Sequence, residues 1–272
     1  MVLFSELAPY GPLPRFAQPY LNDDLARLQD GARKHNVWLI PGSMFEKDEA
    51  GLIYNTASVI DPDGNLVRSY RKMFPFRPYE TEVTAGTEFC VFDVPNVGRF
   101  GLSICYDMWF PETIRTLAVM GAEVILHPTL TGTIDREIEL SIARAMASVN
   151  QCFIFDVNGL ETGGSGDSII CGPDGRVLYQ AGGNEEIIPV ELPKGEDHED
   201  EFFGVQQIFT EKLSFVIELA SIGDNANIKV RYQGCAEKGL CYPPKKKTVE
   251  LSKITVDTEA DSNNILAAIS AP

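Results

Sequence analysis

The chain has 272 residues, of which 44% are hydrophobic and 23% charged, and its formal net charge is −16 at pH 7. This composition is typical of globular proteins that bury a core, and it excludes a disordered or fibrous chain. The negative charge argues against a nucleic-acid partner, because Lys and Arg supply most of the affinity for phosphates. The sequence shows neither a membrane-spanning apolar run nor a secretory signal, which predicts a cytoplasmic location.

From residue 1 to about 192, strand-like apolar runs alternate with helical stretches, as in an α/β domain. The predicted strands are, in chain order, VLF, VWLIPGS, IYNTASVID, VFDVP, RFGLSIC, EVILHPT, CFIFDVN and SIICGP. The predicted helices are LNDDLARLQDGARKHN, which Asn22 caps, FPETIRTLAVMGA and DREIELSIARAMASVN. Asp-Gly pairs within DPDGNL and GPDGRV lie between apolar runs and predict two hairpins, so the sheet contains antiparallel neighbours.

The pattern changes after residue 192. The stretch PKGEDHEDE is acidic and poor in apolar residues, as a linker is. The segments KLSFVIELAS, NIKVRYQG and KKTVELSKITV then alternate apolar and polar residues, as half-buried strands do. We therefore predict an α/β domain over residues 1–192 and an all-β domain over residues 193–272.

One cysteine lies at a position that favours catalysis. Cys105 ends the apolar run RFGLSIC and precedes a loop and a helix, and such a junction exposes catalytic side chains on a rigid scaffold. A lone cysteine is more often a small core residue, and both interpretations stay open on position alone. Of the other five cysteines, only Cys235 and Cys241 lie close together in the sequence.

A nucleophilic thiol needs a base or a cation that favours its thiolate. The three histidines support a Cys-His pair poorly, because His35 lies in a helix, His198 in the acidic stretch and His127 at a strand end. Only His127 is a candidate, and it fits simple packing equally well. Lys72 follows a predicted hairpin strand, where its ammonium would stabilise a thiolate and a developing oxyanion.

Two glutamates complete the candidate set. Glu6 ends the first strand, and Glu80 lies in the loop after Lys72; either alone equally fits a solvated surface charge. Together, a strand that ends in Glu, the RK pair with a following loop glutamate, and GLSICYDMWFPE resemble the nitrilase superfamily of carbon-nitrogen hydrolases. The resemblance extends over residues 1 to about 192 and implies an α-β-β-α sandwich. Family members usually begin with a strand and helix that this chain lacks.

By that resemblance, Glu6 is the general base, Cys105 the nucleophile and Glu80 a residue that orients the substrate. Lys72 and the backbone N–H of Tyr106 would stabilise the oxyanion. The resemblance implies hydrolysis of a small linear amide through a thioester, with release of ammonia, no metal or organic cofactor, and a homo-oligomer formed through the hydrolase domain. Four residues are expected to line the pocket, although each also fits core or loop packing: Tyr54, Trp109, Thr129 and Thr131.

Residues from about 191 to 260 resemble the amino-terminal periplasmic domain of bacterial thiol:disulfide interchange reductases. The motifs DEFFG and YQGCAEKGLCYPP carry this resemblance. It implies part of an immunoglobulin-like unit in which Cys235 and Cys241 form a redox pair, Phe202 caps them, and a thiol-redox protein is the partner. A structural disulfide or two thiols without a role are the alternatives.

Three functions follow from these two resemblances. The favoured one is an amide hydrolase with a carboxyl-terminal extension. The second is a thiol-disulfide exchange module on an inactive α/β fragment, and the third is a fusion with neither activity, since both halves lack elements on which their families rely. The hydrolase hypothesis requires Glu6, Lys72 and Cys105 to converge in one pocket.

Overall fold

The structure is a computed structural model that describes residues 1–20, 22–77, 79–160 and 163–190, and beyond these the backbone of four strands. The chain folds as two compact units, Met1–Pro189 and Val190–Pro272. None of the helices within the described ranges is long and apolar enough to span a bilayer.

The first sheet of the amino-terminal unit contains six strands: β1 (Val2–Leu3), β2 (Gln18–Pro19), β3 (Leu39–Ile40), β4 (Ser43–Lys47), β5 (Ile53–Ile60) and β6 (Leu66–Arg71). Strand β5 pairs antiparallel with β3, β4 and β6, whereas β1 pairs parallel with β3 and β2 with β4. Both β1 and β6 therefore run opposite to β5. Their carboxyl ends lie at the same edge of the sheet, where β5 begins.

Helix α1 (Asp23–His35) covers this sheet through a small apolar cluster formed by Leu25, Ala32, Leu39 and Ile60. The helix starts where predicted, because the Asn22 side chain accepts a hydrogen bond of 2.8 Å from the backbone N–H of Leu25. Acidic side chains in its first turn and basic ones in its last turn, including His35, complement the helix dipole.

The second sheet also contains six strands: β7 (Cys90–Val94), β8 (Gly98–Leu102), β9 (Val124–Thr129), β10 (Phe153–Asn158), β11 (Ile169–Cys171) and β12 (Val177–Gln180). Strands β8, β9 and β10 are parallel neighbours. Helices α2 (Pro111–Val119) and α3 (Arg136–Asn150) connect them as crossovers. The carboxyl ends of the three parallel strands therefore form one edge, the usual place for a binding crevice in an α/β fold.

The two sheets pack face to face, with helices on the outside. Trp38, beside β3, stacks on Phe92 of β7 with ring centroids 5.9 Å apart. Helices α2 and α3 bury an apolar cluster against the second sheet, and its members include Ile114, Leu117, Ile125 and Ile154. This four-layer α-β-β-α arrangement confirms the predicted fold of the hydrolase unit.

Both predicted hairpins are present, as β5–β6 around residues 61–65 and β11–β12 around residues 172–176. One predicted strand is divided, because VWLIPGS bends at Gly42, which has φ of 79° and separates β3 from β4. A Cβ at Gly42 would lie 1.8 Å from the Ser5 carbonyl oxygen, so glycine lets the segment carrying Glu6 approach the bend.

In the carboxyl-terminal unit the structure describes two antiparallel pairs: β13 (Glu196–Asp200) with β14 (Gly204–Ile208), and β15 (Asn227–Tyr232) with β16 (Lys245–Glu250). Strands β15 and β16 overlap predicted strands. Strand β13, which includes His198, corrects the prediction of a linker, because the acidic stretch finds a backbone partner in β14. The predicted strand KLSFVIELAS, Phe202, Cys235 and Cys241 lie outside the described residues, and the redox roles stay predictions.

Two shorter helical turns complete the amino-terminal unit. A 3₁₀ helix spans Pro14–Phe16, and a second spans Cys105–Trp109 directly after β8. The second turn places the candidate nucleophile at the edge where the parallel strands end.

Candidate active site

A buried lysine lies at the centre of the site. Lys72 follows β6 and is 1% exposed, and its Nζ donates to Glu6 Oε1 at 2.9 Å and to Glu80 Oε2 at 2.8 Å. Burial lowers the pKa of Lys72, but the negative charges of Glu6 and Glu80 oppose this effect, and the net result is a pKa well above its usual value. Lys72 is therefore a permanent ammonium at neutral pH.

Asn55 is a site residue that the sequence analysis missed. Its Nδ2 donates to Glu6 Oε1 at 2.8 Å and to Glu80 Oε1 at 3.0 Å. The Lys72 N–H donates to the Asn55 carbonyl oxygen at 2.8 Å, so the two residues are cross-strand neighbours where β6 leaves β5. One sequence feature could have identified Asn55. It is a buried amide within the apolar run IYNTASVID, opposite the lysine of the same hairpin.

Glu6 lies where the two sheets meet. Its N–H donates to the carbonyl oxygen of Thr129 at 3.3 Å, which joins the segment after β1 to the end of β9. Burial raises the pKa of Glu6, Lys72 lowers it and Glu80 raises it, and the net result is a pKa above the usual value. A carboxyl with a raised pKa exchanges a proton near neutral pH more readily than a surface glutamate.

Cys105 is half-buried and has φ of 47°, a left-handed conformation that is uncommon for a residue with a side chain. Its Sγ lies 3.8 Å from Thr131 Oγ1. Burial and the charge of Glu6 raise the pKa of the Cys105 thiol, whereas Lys72 lowers it, and the net shift is upward. The structure therefore brings Glu6, Lys72, Glu80 and Cys105 together, and the resting sulfur is a neutral thiol beside a carboxylate acceptor.

Asp107, a second residue that sequence reasoning missed, links the lysine segment to the cysteine turn. Its Oδ1 accepts from the N–H groups of Met73 and Phe74 at 3.1 and 2.9 Å. Its Oδ2 accepts from the Ile104 N–H at 2.8 Å and from the Tyr70 hydroxyl at 2.7 Å. One buried carboxylate thus joins the residues that follow Lys72 to the residue that precedes Cys105.

Three of the four residues predicted to line the pocket lie near the thiol. Thr129 Oγ1 is 3.5 Å from Thr131 Oγ1. Glu139 Oε1 accepts from Thr131 Oγ1 at 3.0 Å and from Trp109 Nε1 at 3.2 Å, which ties both side chains to α3. Tyr106 follows Cys105 in the 3₁₀ helix, and its ring lies edge-on to that of Phe110 at 5.4 Å.

Tyr54 lies elsewhere. The Arg71 guanidinium lies 3.8 Å above its ring centroid, and Arg71 pairs with Glu46. Successive residues of a strand point to opposite faces, so Tyr54 faces away from the cluster that its neighbour Asn55 joins. The structure therefore does not bring Tyr54 together with the other predicted site residues.

His127 does not act as a strong base. It is buried on β9, and its Nδ1 lies 2.8 Å from Ser103 Oγ. Burial and the positive charges of Arg136 and Lys72 lower the pKa of His127 to about 3. Its imidazole stays neutral, in agreement with the packing interpretation.

The described residues contain no group of three or more His, Cys, Asp or Glu side chains arranged to hold a metal ion. The site holds a buried ammonium between two carboxylates, beside a thiol at the edge of an α-β-β-α sandwich. This combination of fold and site defines the class of protein. Residues 1–196 match the sequence model named Carbon-nitrogen hydrolase, and the chain belongs to this family, with the fold of the nitrilase superfamily. Residues 173–253 match a second model, the amino-terminal domain of thiol:disulfide interchange protein DsbD.

Individual relatives fall into the same two groups. The 2-oxoglutaramate amidase of Bacillus subtilis is 33% identical over 180 residues, which cover 63% of this chain and 68% of the relative. An amidase from Nesterenkonia sp. AN1, whose active-site cysteine carries a Michael adduct of acrylamide, is 25% identical with a TM-score of 0.64 and coverages of 70% and 79%. The interchange protein of Colwellia psychrerythraea is 54% identical over 174 residues, which cover 60% of this chain but only 27% of that protein.

Proposed function

We propose that the amino-terminal unit hydrolyses the carbon–nitrogen bond of a small linear amide through a Cys105 thioester and releases ammonia. The observation that supports this function best is the buried Lys72 ammonium held by Glu6 and Glu80 at 2.9 and 2.8 Å beside the thiol. Burying three charged groups is costly unless they are paired, and such a site favours a reaction in which charge develops and disappears.

In the acylation step, Glu6 accepts the thiol proton while Cys105 Sγ forms a bond to the amide carbon. The carbonyl π electrons move to oxygen, and the Lys72 ammonium and the Tyr106 N–H stabilise the resulting oxyanion. When the oxyanion collapses, Glu6 donates its proton to the departing nitrogen. The carbon–nitrogen bond breaks, ammonia leaves, and the acyl group remains on sulfur.

In the deacylation step, Glu6 accepts a proton from water, and the water oxygen adds to the thioester carbon. The same two donors stabilise the second oxyanion. Its collapse breaks the carbon–sulfur bond, the sulfur regains a proton from Glu6, and the carboxylic acid leaves. Glu80 and Asn55 hold Lys72 and Glu6 in place throughout, because each bonds the reacting groups directly.

The test is ammonia release from short aliphatic amides, combined with trapping of the nucleophile by acrylamide. We expect the wild-type chain to release ammonia and Cys105→Ala to lose at least about a thousandfold of kcat/KM. Mass spectrometry should find the acrylamide adduct on Cys105. Cys171 is the matched control, because its side chain is fully buried whereas that of Cys105 is only half-buried. Full activity of Cys105→Ala, or an adduct on Cys171 alone, would refute the proposal.

Thiol-disulfide exchange by the carboxyl-terminal unit is a second proposed function, favoured by the match of residues 173–253 and by the 54% identity to an interchange protein. Here Cys235 and Cys241 are the proposed pair and Phe202 the proposed cap. Trapping of a mixed disulfide with a thiol-redox protein in Cys241→Ala, and its loss in a Cys235→Ala, Cys241→Ala double variant, tests it. The homo-oligomer and the cytoplasmic location stay predictions of the sequence.

A further inference from the structure

A cavity of about 450 Å³ lies beside the proposed catalytic centre and takes no part in the mechanism above. It lies at the start of α3, and the residues that line it are Thr133, Ile134, Arg136, Glu137, Leu140, Ser165 and Asp167. The volume falls within the range typical of small-molecule sites.

Thr131 connects this cavity to the nucleophile. Its Oγ1 lies 3.8 Å from Cys105 Sγ, while its carbonyl oxygen accepts from Ser165 Oγ, a lining atom, at 3.1 Å. Asn158 holds the Thr131 backbone from both sides, with bonds of 2.8 and 2.9 Å. Thr131 therefore lies between the nucleophile and the lining of this cavity.

The one guanidinium in the lining is already committed to protein carboxylates. Arg136 is 4% exposed, forms two bonds of 3.0 Å with Asp156 and contacts Glu139 at 3.3 Å. Its Nε is buried and has no hydrogen-bond partner among the described residues. Two carboxylates neutralise this cation, so it offers a substrate carboxylate neither the fork geometry nor the net charge.

The remaining charges of the lining are negative. Asp167 and Glu137 both border the cavity, and Glu6, Glu80 and Glu139 lie on the side of Cys105, where Lys72 is the balancing cation. Excess negative charge in a cleft attracts cations and repels anions. The backbone of Asp167 has φ of 55° and is held by the bond from Arg136 Nη2 to its carbonyl oxygen at 2.8 Å.

We propose that this cavity selects linear amides whose remote end is an ammonium group, accepts uncharged ends less well, and rejects carboxylates. This inference rests on the proposed hydrolase function and names its substrate class. It separates this chain from its relative the 2-oxoglutaramate amidase, whose named substrate carries carboxylate. Asp167 and Glu137 are the specificity-determining residues.

The test uses three amides of matched length: γ-aminobutyramide, pentanamide and glutaramate, whose remote ends are an ammonium, a methyl and a carboxylate. We expect kcat/KM for γ-aminobutyramide to exceed that for glutaramate by at least about tenfold, equivalent to ~1.4 kcal/mol, with pentanamide between them. Added salt should reduce the ratio, because the rim is exposed to solvent.

The double variant Asp167→Asn, Glu137→Gln should reduce the ratio towards one. Asparagine adopts the left-handed conformation as readily as aspartate, so the substitution removes charge without straining residue 167. The matched control is Glu123→Gln. Residue 123 immediately precedes β9 and lies six residues, or roughly 20 Å, from the end that carries Thr129. The control should keep the wild-type ratio.

Three outcomes separate the specificity from the hydrolase function. A glutaramate rate equal to or above that of γ-aminobutyramide overturns the inference and leaves the hydrolase function intact. A wild-type ratio in the double variant also overturns it, because the cavity then does not hold the remote end. Absence of turnover for every amide, with no acrylamide adduct on Cys105, removes the hydrolase function and the specificity together.

Discussion

Two buried ionic clusters lie within one unit of this protein, and each holds a single cation between two carboxylates. In the first, Lys72 bridges Glu6 and Glu80. In the second, Arg136 bridges Glu139 and Asp156. The first joins loops at the sheet edge beside a thiol, whereas the second ties the first turn of α3 to β10.

The difference between the clusters follows from the cation. An ammonium is a compact point charge that can move its hydrogen bonds to a developing oxyanion, whereas a guanidinium is planar and fits a carboxylate with two parallel bonds. Arg136 uses that geometry on Asp156 and is held rigidly. The pairing therefore indicates chemistry at Lys72 and structural support at Arg136, and the following variants test that division.

The largest effect is expected at the lysine. Lys72→Met removes the stabiliser of the oxyanion and leaves Glu6 and Glu80 buried without a counter-charge. We expect kcat/KM for amide hydrolysis to fall about a thousandfold, or ~4 kcal/mol, in an ammonia-release assay. Lys72→Arg should lose at least about tenfold, because the fork cannot occupy the place of a point charge. Retention of more than a tenth of the activity in Lys72→Met would break the comparison.

The arginine should act on stability. Arg136→Met leaves Asp156 and Glu139 uncompensated inside the protein, and we expect the free energy of unfolding in urea to fall by about 3 to 5 kcal/mol. Arg27→Met is the control, because Arg27 is 81% exposed in its pair with Asp24 and should contribute less than about 1 kcal/mol. Equal losses of unfolding free energy in the two variants would show that the buried ion pairs contribute no more to stability than the exposed one.

A smaller effect is expected at Asn55, which supports only the lysine cluster. Asn55→Leu keeps the volume but removes two hydrogen bonds to carboxylates, and we expect kcat to fall about tenfold to a hundredfold. Thr56→Val is the control, because the neighbouring side chain lies on the opposite face of β5 and donates to Glu46. A larger loss of activity in Thr56→Val than in Asn55→Leu would contradict the assignment of the faces.

The smallest effect is a shift in a pH profile. Burial and Glu6 raise the pKa of Cys105, so iodoacetamide, which reacts with the thiolate, should alkylate the wild-type thiol with a midpoint above the usual value near pH 8.5. Glu6→Gln removes one negative neighbour, while Lys72, Glu80 and Glu139 stay. The midpoint should then move down, whereas Glu123→Gln should not move it. An upward shift in Glu6→Gln would contradict this electrostatic picture.

Hydrophobic periodicity predicted most strands because it reports burial directly, whereas the four layers were implied by the family resemblance. The sequence also predicted four site residues, because strand ends and short motifs are local features. These residues are Glu6, Lys72, Glu80 and Cys105. Asn55 and Asp107 were not predicted as site residues, because their roles depend on hydrogen-bond partners far along the chain, which periodicity does not reveal. Tyr54 lies apart from the cluster for a related reason, since successive residues of a strand point to opposite faces.

The acidic stretch before β14 shows the opposite error. Its composition indicated a linker, yet residues 196–200 form β13 because a strand is stabilised by backbone hydrogen bonds that charged side chains do not prevent. Composition indicates whether a segment is compatible with exposure to solvent. Strand formation depends instead on whether a neighbouring strand is available for backbone hydrogen bonds.

The four hydrogen bonds of Asp107 have a consequence for how such a site can diversify. Because a single carboxylate fixes both the start of the loop after Lys72 and the residue before Cys105, it couples the position of the amine to that of the sulfur. Exchanges in the loop beyond Phe74 that spare Glu80 can therefore reshape the entrance for new substrates, while the reacting atoms keep their spacing.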